Sequence, residues 1–245
     1  MFSLKNRKVI VTGAASGIGR STCLKLAELD AIVYALDIDK AGIEKLKEEK
    51  YGEKFKTYKV DVSKPEQIEH FFKTLYKENK YPDSLVNNAG IYLAKSILDY
   101  SNDEIDKIYS TNIRSTVLFS KYFAKKIMND KKSACIINIS SVSGQEASSD
   151  AIYGLSKAAL IGLTKSNALN FSPYIRVNAV APGIVDTPMM HIISEERLKF
   201  YQKHELIDRP IQPEDVANTV IFLLSDTAKH YTGAVFDINN GCYLR

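Results

Sequence analysis

Cysteine is scarce in this chain: Cys23, Cys135 and Cys242 are its three, an odd number spread over 245 residues. None belongs to a CxxC pair or stands at metal-ligand spacing from a histidine, so neither a disulfide framework nor a structural zinc site is expected. Reduced, partly buried thiols in a cytoplasmic protein are the expectation instead. The four histidines, His70, His191, His204 and His230, are too scattered to hold a metal ion. Long apolar runs are absent as well, which excludes a membrane-spanning helix. Met1-Phe2-Ser3-Leu4-Lys5 leads straight towards a strand, so no signal peptide is expected. Neither charge sign dominates, the net value being +4. The densest basic runs, Lys125-Lys126 and Lys131-Lys132, flank a helix end and suit a solvated, dipole-complementing C-terminus. With no interleaving of arginine and aromatic residues, a nucleic-acid partner is not expected.

What is present is an alternation of short apolar runs with longer amphipathic ones, without repeats or low-complexity linkers. At 45% hydrophobic and 25% charged residues, the chain can bury one substantial core. Strands are expected at 8–11, 31–36, 57–60, 84–86, 135–139, 175–180 and 234–238. Helices are expected at about 17–29, after Asp37, from Ser63-Lys64-Pro65-Glu66 onward, at 103–128, from Tyr153 to about Leu169, and at 213–224. Ser63 is the N-cap candidate ahead of Pro65. This alternation predicts an α/β fold: a doubly wound parallel sheet of about seven strands, covered by helices on both faces, in a single domain spanning 1–245. Ligands of such sheets bind beyond the carboxyl ends of the strands, at the switch point of strand order.

Thr12-Gly13-Ala14-Ala15-Ser16-Gly17-Ile18-Gly19 follows the first strand and opens a helix. Its glycines allow a tight turn and close approach to a pyrophosphate, whose charge a helix N-terminus favours. The spacing is GxxxGxG, and its place after strand one points to a dinucleotide more than to a plain turn. Asp37 ends the second strand, where a carboxylate accepts hydrogen bonds from an adenosine ribose and repels a 2′-phosphate. Neither Ser16 nor Ile38 offers that phosphate a positive charge, so NAD is expected rather than NADP. Arg20 and Lys40 are the cations that would reverse the preference, and a plain helix cap is the competing role for Asp37.

Tyr153 and Lys157 stand four residues apart at a helix start, on one face. A neighbouring ammonium favours phenolate; moving a phenol from about 10 to neutrality requires roughly 4 kcal/mol of preferential stabilisation. A tyrosine so tuned exchanges protons with an alcohol. Such a pair is most often an ordinary pair of surface neighbours, and gains meaning from the other motifs that share its end of the sheet.

Together these residues resemble the short-chain dehydrogenase/reductase family, over Lys8 to Gly241 and with the motifs in the expected order. The resemblance implies a Rossmann-type fold in which Gly13, Ser16, Gly17, Ile18 and Gly19 cradle the cofactor and Asp61-Val62 contacts its adenine. It likewise implies that Asn88, Ala89 and Gly90, from Asn87-Asn88-Ala89-Gly90, line the same site. Pro182, Gly183, Val185 and Thr187 resemble the segment that holds the nicotinamide carboxamide. Asn112, Ser141, Tyr153 and Lys157 take the catalytic positions. Tyr153 would exchange the proton, Lys157 would lower its pKa and bond the nicotinamide ribose, and Asn112 would support a water leading to Lys157. Ser141 would hold the substrate oxygen. It lies twelve positions before Tyr153, one fewer than is usual, and Ser140 stays open for the same role.

The reaction implied is interconversion of a secondary alcohol and a ketone with NAD, without a metal. A 3-oxoacyl-[acyl-carrier-protein] reductase is the alternative, and a non-catalytic NAD-binding regulator a weaker one, since Tyr153 and Lys157 are both kept. Residues 188–209, which contain Met189, Met190 and His191, are expected to form a short lid. Its brevity suggests an open pocket or a small substrate. Gln145 and His191 are candidate substrate contacts, hinting at a hydroxylated or acidic molecule. The resemblance also implies a homotetramer.

Overall fold

The computed structural model of the chain describes residues 4–78 and 80–244. Met1, Phe2 and Ser3, on which the expectation of a leaderless start bears, lie outside the described residues. Seven strands, β1 (Lys8–Thr12), β2 (Ile32–Asp37), β3 (Phe55–Lys59), β4 (Ser84–Asn87), β5 (Ala134–Ile139), β6 (Ile175–Pro182) and β7 (Val235–Ile238), form one sheet. Their order is β3-β2-β1-β4-β5-β6-β7, and every pairing is parallel. The chain order reverses between β1 and β4, so their carboxyl ends open a crevice there. No helix among the described residues is long and apolar enough to cross a membrane.

Successive strand residues face opposite sides, which divides the core in two. Val9, Val11, Val33, Ala35, Val86, Cys135 and Ile137 pack on one face with α1 (Gly17–Glu28) and α8 (Pro213–Leu224). Ile10, Tyr34, Leu36, Leu85, Ile136 and Val177 pack on the other with α3 (Pro65–Lys77) and α5 (Ser115–Asn129). The near-continuous apolar runs of the central strands follow from this two-sided burial. Phe72 and Phe119 close the second layer with ring centres 5.6 Å apart.

Several local expectations shift for physical reasons. The third strand starts at Phe55, because Val33 to Asp37 of β2 pair with Phe55 to Lys59 and Phe55 is buried. The charged helix after Asp37 is broken into α2 (Lys40–Glu44) and a 3₁₀ turn, Lys45–Glu48. Buried Ile43 and Leu46 lie three residues apart, the repeat of the tighter helix. Ser63 does not cap α3: its hydroxyl donates to Asp61 Oδ1 at 2.7 Å, and Pro65 opens the helix after Lys64. The long helical stretch begins in a capping box of Ser101 and Glu104 and runs as α4 (Asn102–Ile108). It then widens into a π turn, Tyr109–Arg114, before α5. Downstream lie α6 (Ala151–Asn170) and α7 (Glu195–Gln202).

Candidate active site

One crevice of about 950 Å³ runs over the carboxyl ends of the strands. Gly13, Ser16, Gly17, Ile18, Asp37, Asp61, Val62, Asn88, Ala89, Gly90, Ser141, Tyr153, Lys157, Pro182, Gly183, Val185 and Thr187 all line it. Gly19 sits behind this wall, buried against the loop. Residues from seven separate segments thus meet at one crevice.

The glycine loop is shaped by contact and by charge. Gly13 has φ +67°, and a Cβ there would stand 2.8 Å from Asn88 Nδ2 and 2.9 Å from Ala89 Cα. A Cβ on Gly19 would collide with the Gly13 carbonyl at 2.0 Å. Ser16 makes no side-chain cap, and the first turn of α1 carries no acidic residue. Its N–H groups therefore keep their capacity for an anion, which fits a dinucleotide pyrophosphate. Asn88 works from behind, donating to the Thr12 and Gly13 carbonyls at 2.9 and 3.1 Å. Thr12 Oγ1 accepts from the Asn88 and Ala89 amides, both at 3.0 Å, so one hydroxyl clamps β1 to the end of β4.

Asp37 accepts from the Ala15 and Asp39 amides at 3.0 and 2.9 Å. Asp39, not Asp37, caps α2, by accepting from Gly42 N at 3.0 Å. Arg20 is paired with Glu49. Asp61 is committed locally, its Oδ1 accepting from both the amide and the hydroxyl of Ser63.

The two serines after β5 differ. Ser140 Oγ donates inward to the Lys157 carbonyl at 2.7 Å. Ser141 Oγ accepts from Ser143 N at 3.1 Å and donates to the Pro182 carbonyl at 3.5 Å, and its hydroxyl acts on the Tyr153 phenol, favouring phenolate. Lys157 is buried and donates from Nζ to the Ile139 carbonyl at 2.9 Å. Its Nζ lies 5.6 Å from the Tyr153 ring centre. Burial presses the Lys157 ammonium down to about 8. It also pushes the Tyr153 phenol above its ordinary value, with Ser141 pulling back and Tyr92 and Asp150 adding to the rise. The expected lowering of Tyr153 by Lys157 is therefore not delivered by the chain's own groups. The ammonium is directed at a backbone carbonyl beside the ring.

Asn112 sits in the π turn, 1% exposed. Its Oδ1 accepts from Ile91 N at 2.9 Å, while Nδ2 donates to the Ile91 carbonyl and to Ser156 Oγ, both at 3.0 Å. The side chain thus pins the segment after β4 to α6. A Cβ placed on Gly90 would stand 3.5 Å from both Asn112 Oδ1 and Lys157 Nζ, so the two polar groups face one small gap.

Two candidate substrate contacts fall away from the crevice wall. Gln145 Nε2 donates to Asp237 Oδ1 at 2.6 Å, towards β7. His191 is exposed in the 3₁₀ turn Pro188–Ile192. In their place the far end is lined by Tyr92, Ser149, Met189, Met190, Arg197 and Tyr201. The ring of Tyr92 lies 4.7 Å from that of Tyr153. Sequence reasoning also missed Asp150, the N-cap of α6, which is fully buried and accepts from Tyr153 N at 2.9 Å. An Asp three positions before the tyrosine, at a helix start, was the available signal. Among the described residues no group of three or more His, Cys, Asp and Glu residues is placed to hold a metal ion.

The sheet order and the uncapped glycine loop at its switch point define a Rossmann-type fold with a site suited to a dinucleotide. The family model described as enoyl-(acyl carrier protein) reductase matches residues 13–243. The 3-oxoacyl-[acyl-carrier-protein] reductase FabG of Aquifex aeolicus is 34% identical over 247 residues, covering 99% of each chain. Cyclopentanol dehydrogenase of a Comamonas species is 34% identical, covering 98% of each. The solved structure of 4-hydroxyisoleucine dehydrogenase complexed with NADH superposes with a TM-score of 0.91 at 32% identity, covering 97% of this chain and 98% of that one. The chain belongs to the short-chain dehydrogenase/reductase family and is an enzyme acting on CH–OH donors with NAD(P) as acceptor.

Proposed function

We propose that the enzyme interconverts a secondary alcohol and a ketone with NAD(H), Tyr153 exchanging the proton. The observation that carries this reading is the convergence of Ser141, Tyr153 and buried Lys157 on the crevice that also holds the uncapped glycine loop. The nicotinamide ring, when bound, accepts or gives the hydride and is cationic in its oxidised form. The Gly13 to Gly19 loop, Asp37, Asp61, Val62, Asn88 to Gly90 and the Pro182 to Thr187 segment would hold the cofactor. Ser141 anchors the substrate oxygen, since its hydroxyl acts on the Tyr153 phenol whereas Ser140 is spent on the Lys157 carbonyl. Tyr153 takes the alcohol proton or returns one to the ketone oxygen. Lys157 bonds the ribose, and its charge at neutral pH opposes the burial that keeps the phenol protonated. Asn112 completes the route by which protons reach Lys157, through the gap above Gly90.

NAD is favoured over NADP by Asp37 at the end of β2 and by the pairing of Arg20 with Glu49, which occupies one of the two cations that would otherwise meet a 2′-phosphate. The single domain of residues 1–245 has 188–209 as its lid, in which Met189, Met190 and Arg197 line the crevice. A cytoplasmic homotetramer completes the reading. Three free cysteines suit a reducing compartment, and exposed Val117, Leu155 and Leu169 on α5 and α6 offer apolar surface for subunit contact.

A second reading, a 3-oxoacyl-[acyl-carrier-protein] reductase, is favoured by the Aquifex relative. One screen separates the two: sugars, polyols, hydroxy acids, diols and acetoacetyl thioesters, each with NAD and NADP, followed by nicotinamide absorbance. Turnover of a secondary alcohol with NAD supports the first reading. Turnover confined to thioesters with NADPH supports the second.

A further inference from the structure

We propose that Arg197 forms a carboxylate-binding subsite at the far end of the crevice, and that the substrate is a short hydroxy acid or the corresponding oxo acid. The inference rests on the alcohol–ketone reading and names its substrate class.

Arg197 lies in the first turn of α7, and its side chain reaches back across the crevice mouth. Nε donates to the Tyr201 hydroxyl at 2.8 Å and Nη1 to the Ala94 carbonyl at 3.3 Å, while Nη2 donates to Ser149 Oγ. The Tyr201 and Ser149 hydroxyls are themselves 2.8 Å apart. One guanidinium is therefore fixed by three segments: the lid helix, the stretch after β4, and the residues leading into α6. Beside it stands Tyr92, whose phenol its charge lowers against a burial that pushes it up to about 12. The Tyr92 ring in turn packs 4.7 Å from that of Tyr153.

Every one of these partners is a neutral oxygen. Among the described residues Arg7 and Arg20 pair with carboxylates, whereas no ion pair includes Arg197. The acidic groups around it are otherwise placed. Asp150 accepts from Tyr100, from the Tyr153 amide and from the Lys95 amide. Glu205 accepts from Asn240 Nδ2, and although Glu146 and Glu205 line the same crevice, neither forms an ion pair with Arg197. A half-buried cation without a counter-ion is unfavourable, and a carboxylate arriving with the substrate restores the balance. The planar guanidinium fork suits a carboxylate better than it suits a hydroxyl. Because a single aromatic ring separates this charge from Tyr153, the carboxylate and the reacting carbon belong to one short molecule.

A pure latch is the competing role, since the same three hydrogen bonds tie α7 down. A latch acts on every substrate alike, whereas an anion subsite acts on acids alone. Four- to six-carbon hydroxy acids, their primary amides and cyclopentanol are assayed with NAD on wild type, Arg197→Met and Arg197→Lys. The expected result is a wild-type preference for acid over amide of at least about tenfold in kcat/KM. Arg197→Met should abolish it by raising KM for the acids, with amides and cyclopentanol within about twofold of wild type. Arg197→Lys, which keeps the charge without the fork, should fall between. Equal losses on acids and neutral alcohols, or no loss on either, overturn the proposal. Calorimetry with succinate and succinamide in the presence of NADH gives a second readout independent of turnover. Succinate binding that Arg197→Met removes supports the subsite. Equal binding of both probes, binding of neither, or binding that survives the substitution refutes it. If no alcohol is turned over while succinate binds through Arg197, the alcohol–ketone reading fails and the anion site stands.

Discussion

The buried carboxylate of Asp150 accepts the Tyr100 hydroxyl at 2.9 and 2.8 Å on its two oxygens while capping the helix that carries Tyr153. The Tyr153 amide is the donor to that cap. The position of the Tyr153 phenol is thus set three residues upstream, by the Asp150 carboxylate.

Asp150→Ala should lower stability by about 2–4 kcal/mol, through loss of a helix cap and an unpaired Tyr100 hydroxyl. Asp150→Asn, which keeps an acceptor for the Tyr153 amide, should cost less. Denaturant unfolding measures both. A kcat reduced in the alanine variant and largely restored in the asparagine variant marks positioning of Tyr153.

The serines should separate cleanly. Ser141→Ala is expected to reduce kcat by at least about a hundredfold, as loss of an oxygen-holding donor does in other active sites. Ser140→Ala removes a bond to the Lys157 carbonyl and should act mainly on melting temperature. Steady-state kinetics on the two variants decides between them, and the reverse ranking would assign the role to Ser140.

Lys157 carries a pH signature. Burial lowers its folded-state pKa to about 8 from an unfolded value near 10.5, so the unfolded chain binds more protons between those values. Its buried charge is destabilising below about pH 8, and that penalty is relieved as pH rises towards 10.5. The stability advantage of Lys157→Met over wild type should therefore be largest at neutral pH. It should shrink by about 3 kcal/mol by pH 10.5. Unfolding titrations of both proteins across that window give the difference, and a flat difference would exclude a depressed Lys157.

At the adenosine end, Asp37→Ser should raise the NADP-to-NAD ratio of kcat/KM by at least about tenfold, since it removes a repelling carboxylate. Replacing Glu49 as well frees Arg20 from its pair and should increase the ratio further. Parallel assays with the two cofactors measure both steps.

The strands were legible because two-sided burial writes continuous apolar runs such as Ile32 to Leu36, and the cofactor loop because its glycines are demanded by collisions a Cβ would make. Ends of elements were less so. The start of β3 is decided by pairing with β2, and Ser63 preferred Asp61 to a helix amide. The substrate end was hidden for a different reason. Arg197 sits among Glu195, Glu196 and Lys199 and has the local pattern of a solvated helix face; only the return of α7 over the crevice gives it a role. Gln145 turns to Asp237 and His191 lies exposed outside the crevice lining, placements that spacing does not encode. Nor does spacing encode burial, which raises the Tyr153 phenol while the Lys157 ammonium bonds the Ile139 carbonyl.

The central claim is tested most directly by the turnover of Tyr153→Phe on the best NAD-linked alcohol found in the screen, with NADH binding measured on the same preparation. The account predicts NADH affinity within a few-fold of wild type and a kcat lower by at least about 10³, as removal of a proton-transferring group requires. A Tyr153→Phe enzyme that binds NADH and retains near-wild-type kcat would contradict it.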